Sequence, residues 1–66
     1  MDDRTTRVRE LKALRRKHRI SPAKLAAESS VSVATIYRVE NGTTTPNLLT
    51  LEALEGAVQR LADAAS

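Results

Sequence analysis

Residues 20–42, ISPAKLAAESSVSVATIYRVENG, hold two helix starts and one helix stop in close succession. Ser21-Pro22 is the first start: Ser is a favoured N-cap, and Pro at the first helical position gives up an N–H that would otherwise lack a partner. The helix this predicts runs from about Pro22 to Ser29. Its apolar residues Ala23, Leu25, Ala26 and Ala27 are mostly small, which lets a neighbouring helix approach closely. After Ser29-Ser30-Val31, Ser32 offers a second cap. Val33, Ile36, Tyr37 and Val39 continue at helical spacing until Asn41-Gly42 supplies a left-handed stop, predicting a helix over about Val33–Glu40.

Two short helices joined by a three- to four-residue turn have the length signature of a helix-turn-helix, whose second helix lies in the DNA major groove. Outward from this unit, Val8, Leu11 and Leu14 recur every three residues among Arg, Lys and Glu, predicting an amphipathic helix over about 7–18. Asp2, Asp3, Thr5 and Thr6 before it suit the positive end of a helix dipole, and Arg15-Arg16-Lys17 suits the negative end. On the other side, Thr43-Thr44-Thr45-Pro46 reads as a loop. Asn47, or Thr45 with Pro46 at the first helical position, starts a fourth helix over about 48–58. Leu48, Leu51, Leu54, Val58, Leu61 and Ala65 give it a mixed three-and-four spacing, so it either continues or is followed by a short fifth helix reaching about 65. Gly56 in its interior costs about 1 kcal/mol relative to Ala and points to a close approach or a kink. No strand pattern and no repeat is present, so the expectation is one all-α domain of four to five helices over residues 1–66.

Composition narrows the functions available. At 66 residues the chain buries only about 60% of the surface its unfolded form exposes, so its stability is expected to be small. With no cysteine and a single histidine, His18, neither disulfides nor a structural zinc is expected to support it, and the core must hold by apolar packing. No apolar run approaches the roughly 18 residues of a membrane span and no signal-peptide pattern opens the chain, which makes a cytoplasmic location and no membrane partner the expectation. The net charge of +3 is unevenly distributed: residues 1–20 carry eight Lys/Arg against three acids, whereas residues 21–66 carry three against five. Such polarity suits a polyanion bound at one face, although Arg-rich helical surfaces also serve solubility.

Four stretches resemble the Cro/cI-type (XRE) helix-turn-helix family, in order and at matching separations from about Val8 to Val58. Leu14-Arg15 followed by Ile20-Ser21 looks like the end of the family's first helix, and Lys24-Leu25-Ala26 like the centre of its second. Ser32 to Gly42 resembles the recognition helix with its closing Glu-x-Gly, and Pro46 with Thr50-Leu51, Leu54 and Ala57-Val58 resembles the fourth helix. The resemblance implies a compact, lambda-repressor-like bundle and sequence-specific binding to operator double-stranded DNA as a homodimer. It also implies that Arg15 and Glu40 form a bridge from the first helix to the end of the recognition helix, against the plainer reading of two independent surface charges. The sequence departs from the family at three points. Pro22 stands where a phosphate-reaching Gln is frequent, and Arg19 and Ser30 stand where Gly is frequent. A positive φ at either of the last two would cost on the order of 1 kcal/mol.

With Ile36 and Val39 assigned inward, Val33, Ala34, Tyr37 and Arg38 remain on the outer face of the recognition helix as candidate base contacts. Arg38 is the best reader, because a guanidinium pairs with guanine O6 and N7. Val33 and Ala34 have no hydrogen-bonding side chain and can meet only thymine methyls or permit close approach; ordinary helix filler explains them as well. Ser32, Thr35, Asn41, Thr43 and Thr44 bring polar groups to the two ends of that helix, as phosphate contacts do, and Ser32 would cap the helix without DNA. Arg16, Lys17 and Arg19 extend a phosphate clamp or form a solvated face. Leu11, Leu14, Leu25, Ile36, Val39, Leu51, Leu54 and Val58 are expected in the core. Leu61, Val58 and Ala65 are the expected dimer contact, with a frayed tail as the alternative.

An enzyme is not expected: the chain shows no paired carboxylates in a cleft, no cysteine, no phosphate-cradling glycine loop and no cofactor motif. The leading function is a transcriptional regulator, in particular a repressor acting by operator occupancy. The alternative is a protein-interaction module on the same fold, such as an antitoxin or adaptor with a protein partner, a reading encouraged by the lack of Gln, Asn or Lys on the outer face of the recognition helix.

Overall fold

The computed structural model describes residues 3–65, and Asp2, expected near the first cap, and Ser66 lie outside them. Four helices follow in order: α1 (Asp3–Lys17), α2 (Pro22–Ser29), α3 (Val33–Glu40) and α4 (Leu48–Ala64), with no strand among the described residues. α4 packs along both α1 and α2, while α3 rests against α2 and α1.

Local chemistry explains most of the boundaries. Ser21 and Ser32 accept hydrogen bonds from the Lys24 and Thr35 amides, each at 3.1 Å, and Asn47 Oδ1 accepts from the Thr50 amide at 2.8 Å. Each cap satisfies one of the orphan N–H groups of a helix start. Asn47 is thus the start of α4, and Pro46 sits before it as a buried loop residue. α1 and α3 both end in the same six-to-one, five-to-two arrangement. For α3, Thr43 N donates to Arg38 O and Gly42 N to Val39 O, with Gly42 at φ 77°. For α1, Ile20 N donates to Arg15 O and Arg19 N to Arg16 O, with Arg19 at φ 54°. Ser30 ends α2 at φ 61°. The two non-glycine departures therefore keep left-handed turns and carry the strain that glycine would avoid.

One expectation about helix extent needs correction, and one open alternative is decided. α1 begins at Asp3, about a turn before the expected start near residue 7. The extra turn is held from outside: Arg4 Nη1 donates to Pro46 O at 3.3 Å, and Asp3 lies 3.7 Å from Arg7 one turn on. At the other end, α4 is the continued helix of the two alternatives, running through Gly56 to Ala64 with no separate fifth helix among the described residues. Gly56 does not interrupt it and leaves room beside Arg60, whose Nη1 would lie 3.2 Å from an added Cβ.

The core comprises Leu11, Ile20, Leu25, Ile36, Val39, Leu51, Leu54, Ala57 and Val58, with Val8, Leu14, Ala26, Val31 and Leu61 packed around it. No polar or charged residue is buried as a whole among the described residues. Among the described residues, three long-range ion pairs each tie a different pair of helices. Arg15–Glu40 joins α1 to α3, Arg7–Glu55 joins α1 to α4, and Arg60–Glu28 joins α4 to α2. The Arg7 guanidinium, hydrogen-bonded to Glu55 through both Nε and Nη2, is held above its ordinary pKa first by those bonds.

Candidate nucleic-acid interface

α3 is only two turns long, and so short a helix has little stability of its own. Its neighbours hold it. Ile36 and Val39 are sunk in the core, Ser32 caps the start, and the Gly42 turn closes the end. Glu40 in the last turn accepts from Arg15 Nε at 2.7 Å and Nη2 at 2.9 Å, while Arg15 Nη1 donates to Ile20 O at 2.9 Å. Only 13% of the Arg15 side chain and 5% of the Glu40 side chain are exposed. One guanidinium thus fixes both the α1–α2 turn and the end of α3, using the planar fork that makes Arg–carboxylate pairing directional.

With α3 held this way, Ala34, Tyr37, Arg38 and Asn41 share one exposed face at helical spacing. Val33 is half-buried and gives that face less surface than its position suggested. The Arg38 guanidinium is exposed and has no ion pair or hydrogen bond among the described residues. Tyr37 is a large apolar ring standing free on the surface.

The polar residues at the ends of α3 are not equivalent. Thr43 donates both its amide, at 3.0 Å, and its hydroxyl, at 3.0 Å, to Arg38 O, so its donors are committed to the helix stop. The Ser32 and Thr35 hydroxyls share one hydrogen bond of 2.9 Å, which leaves one proton between them for an outside acceptor. Asn41 and Thr44 are exposed with their side chains unengaged among the described residues. Arg16 and Arg19, also exposed, are unpaired there. Lys17, exposed as well, stands about 140° around α1 from Lys12 and about 80° from Arg9.

The expected dimer contact changes more. Val58 is 1% exposed and belongs to the core, so it has no surface to give a partner. Leu61 is half-buried against the same core, and Ala65 is exposed. The exposed large aliphatic side chains are instead Leu48, at 55%, and Leu49, at 80%, in the first turn of α4.

One feature had no marker in the sequence. A groove of about 350 Å³ separates α1 from the α3–α4 loop, with Arg9 and Lys12 on one wall and Asn41, Gly42 and Thr44 on the other. Because α1 carries charges on most of its faces, nothing in the residue pattern separates these two cations from the rest.

A two-turn helix capped at both ends, packed across a preceding short helix and presenting an unpaired arginine to solvent, defines a helix-turn-helix protein of the DNA-binding type. Comparison of sequences agrees: a helix-turn-helix family profile matches residues 11–63, and the chain belongs to that family, the Cro/cI type of DNA-binding regulators. No curated protein and no solved structure gives a significant match. No helix of the described residues is long and apolar enough to cross a membrane.

Proposed function

We propose that this chain is a sequence-specific regulator that binds double-stranded DNA and represses by occupying an operator. The observation that carries this is the face of α3 on which Ala34, Tyr37, Arg38 and Asn41 are exposed together while the helix is fixed at both ends. Arg38 has the free donors to read guanine, Ala34 lets the helix sit close to the base edges, and Val33 adds what apolar surface it keeps against thymine methyls. Tyr37 closes this face as an apolar or phosphate contact. Thr35, Ser32, Asn41 and Thr44, with Arg16 and Arg19, set the register through phosphates. Thr43 acts indirectly, by holding the helix stop. Two copies on a two-fold symmetric operator would place their α3 helices in successive major grooves about 34 Å apart. Of the expected pairing surface, Leu61 and Ala65 have area left to contribute.

Selection of binding sites from a random duplex pool at two salt concentrations tests the reading. A short inverted repeat enriched at moderate salt and lost at high salt is expected, because Lys and Arg displace counterions from phosphates. Failure to enrich any sequence at either salt overturns it and transfers the weight to a protein partner of the antitoxin or adaptor kind.

A further inference from the structure

The groove between α1 and the α3–α4 loop carries two cations without an ion pair among the described residues. Arg9 and Lys12 line it, and neither has an ion pair or side-chain hydrogen bond among the described residues. Arg4, at one end, is engaged by the Pro46 carbonyl. The one carboxylate on the lining, Glu40, is already taken by two N–H groups of Arg15. Cations facing a groove without internal counter-charge call for an anion from outside.

The opposite wall has matching chemistry. Thr44 and Thr45 both line the groove, and neither makes a hydrogen bond among the described residues, so their amide and hydroxyl donors are free. Beside them Gly42 stands next to open space: a Cβ there would find no atom within 4 Å. Cations on one side and neutral donors on the other, with room between them, fit an anion that only accepts, as phosphate oxygens do.

Position selects the source of that anion. Asn41 ends the exposed face of α3 and, with Thr44, also lines the groove, so the two surfaces are continuous. On α1, Arg9, Lys12 and Arg16 lie at i, i+3 and i+7, a stripe roughly 10 Å long. That length reaches more than one phosphate, since each DNA strand carries one charge per roughly 3.4 Å of axis. We propose that Arg9 and Lys12, with the free donors of Thr44 and Thr45, form a second seat for the DNA backbone beside the C-terminal end of α3. The inference rests on the DNA reading above and adds to it two contact residues and a groove.

The test compares wild type, Arg9→Gln, Lys12→Gln and Lys24→Gln for affinity to a random-sequence DNA duplex across a salt series. Unfolding midpoints are measured alongside, to show that each variant folds. Lys24→Gln removes the same charge from an exposed residue of α2 that does not line the groove and sits beside Leu61 and Ala64 of α4. Arg9→Gln and Lys12→Gln should each flatten the slope of log K against log salt by about 0.9, and Lys24→Gln should leave it unchanged. For the double variant Arg9→Gln/Lys12→Gln, the wild type's advantage should shrink roughly tenfold between 50 and 200 mM salt. Equal slopes for Lys12→Gln and Lys24→Gln would reduce the effect to bulk charge and overturn the seat. Unchanged slopes in both groove variants would overturn it as well, leaving the reading of α3 intact. A wild type whose affinity ignores salt would instead remove the DNA reading itself.

Discussion

Replacing Glu40 by Ala tests whether the Arg15 bridge holds α3 or merely decorates it. The carboxylate accepts at 2.7 and 2.9 Å from a guanidinium whose side chain is almost as enclosed as its own. Breaking a buried pair by removing one partner costs about 3–5 kcal/mol, because the survivor stays desolvated and unpaired. Arg15 would keep its bond to Ile20 O and a small opening to water, which places the loss near the lower end, about 3 kcal/mol. A chain of this length has roughly 3–10 kcal/mol of stability in total, so the variant should lose about a third of it or more. Urea titration followed by circular dichroism, on Glu40→Ala, Arg15→Ala and the double variant, isolates the pairwise coupling. The Arg60–Glu28 pair is an internal reference, with side chains 59% and 38% exposed and one bond of 3.1 Å between the charged groups. Exposed pairs of that kind couple by about 0.2–1 kcal/mol and weaken with salt. The Arg15–Glu40 coupling should exceed 2 kcal/mol, about twice the upper end for exposed pairs, and should scarcely respond to salt. Equal couplings for the two pairs would refute the reasoning, because enclosure would then have made no difference. If Glu40→Ala does not fold at all, Glu40→Gln keeps the shape and allows the cycle to be completed.

Other perturbations follow from the same geometry. Ser30→Gly should stabilise by about 0.5–1 kcal/mol in the same titration, relief at φ 61° outweighing the greater freedom of glycine in the unfolded chain; a loss of stability would mean that the αL turn is not strained. Arg19→Gly, at φ 54°, should give a similar gain in stability together with weaker DNA binding, and a gain without that weakening would remove Arg19 from the phosphate contacts. Gly56→Ala should raise the melting temperature, since a helical alanine is favoured by about 1 kcal/mol and Arg60 is mobile enough to yield the space at 3.2 Å; a fall would show that the gap is needed for the Glu28 pair. Arg38→Ala should leave the unfolding midpoint unchanged, cost about 1–3 kcal/mol on the selected DNA site and relax preference at one base pair. Unchanged base preference would make Arg38 a phosphate contact.

The helices were legible where the chain carries its own punctuation. Ser21-Pro22, Ser32 and Asn41-Gly42 act within one turn of where they stand, so the extents of α2 and α3 follow from residues within the elements or beside them. The start of α1 does not, because its first turn is anchored by a bond from Arg4 to Pro46, 42 residues away. Ile20 escaped the list of expected core residues because it stands in a turn, outside any periodic pattern, and is buried only because the turn at Arg19 folds it inward. Val58 satisfied two patterns at once, the core spacing and the apolar C-terminal stripe, and only packing against α1 and α2 decides between them. The groove cations were hidden for a related reason: a helix charged on several faces does not reveal which face meets a loop that is distant in sequence.

These observations bear on how recognition can change among chains of this shape. The residues facing outward on α3 take part in little that holds the fold: Arg38 is unpaired, Tyr37 is half exposed, and Ala34 lies outside the core. The residues that aim α3 lie off its outer face: Arg15, Glu40, Ile36 and Val39 are turned into the fold, and the Gly42 turn closes the helix at its end. Stability and reading are thus placed on opposite sides of one two-turn helix. Substitution at Ala34, Tyr37 or Arg38 should alter which sequence is bound with changes in unfolding free energy within about 0.5 kcal/mol, as for exposed sites generally. Substitution at Arg15 or Glu40 should weaken binding to every sequence alike, because it disturbs the angle of the whole helix and leaves its outer face chemically intact. A binding-site selection repeated on Glu40→Gln decides the matter: the same preferred sequence at lower affinity fits this division, and a shifted preference would mean that the bridge also takes part in choosing bases.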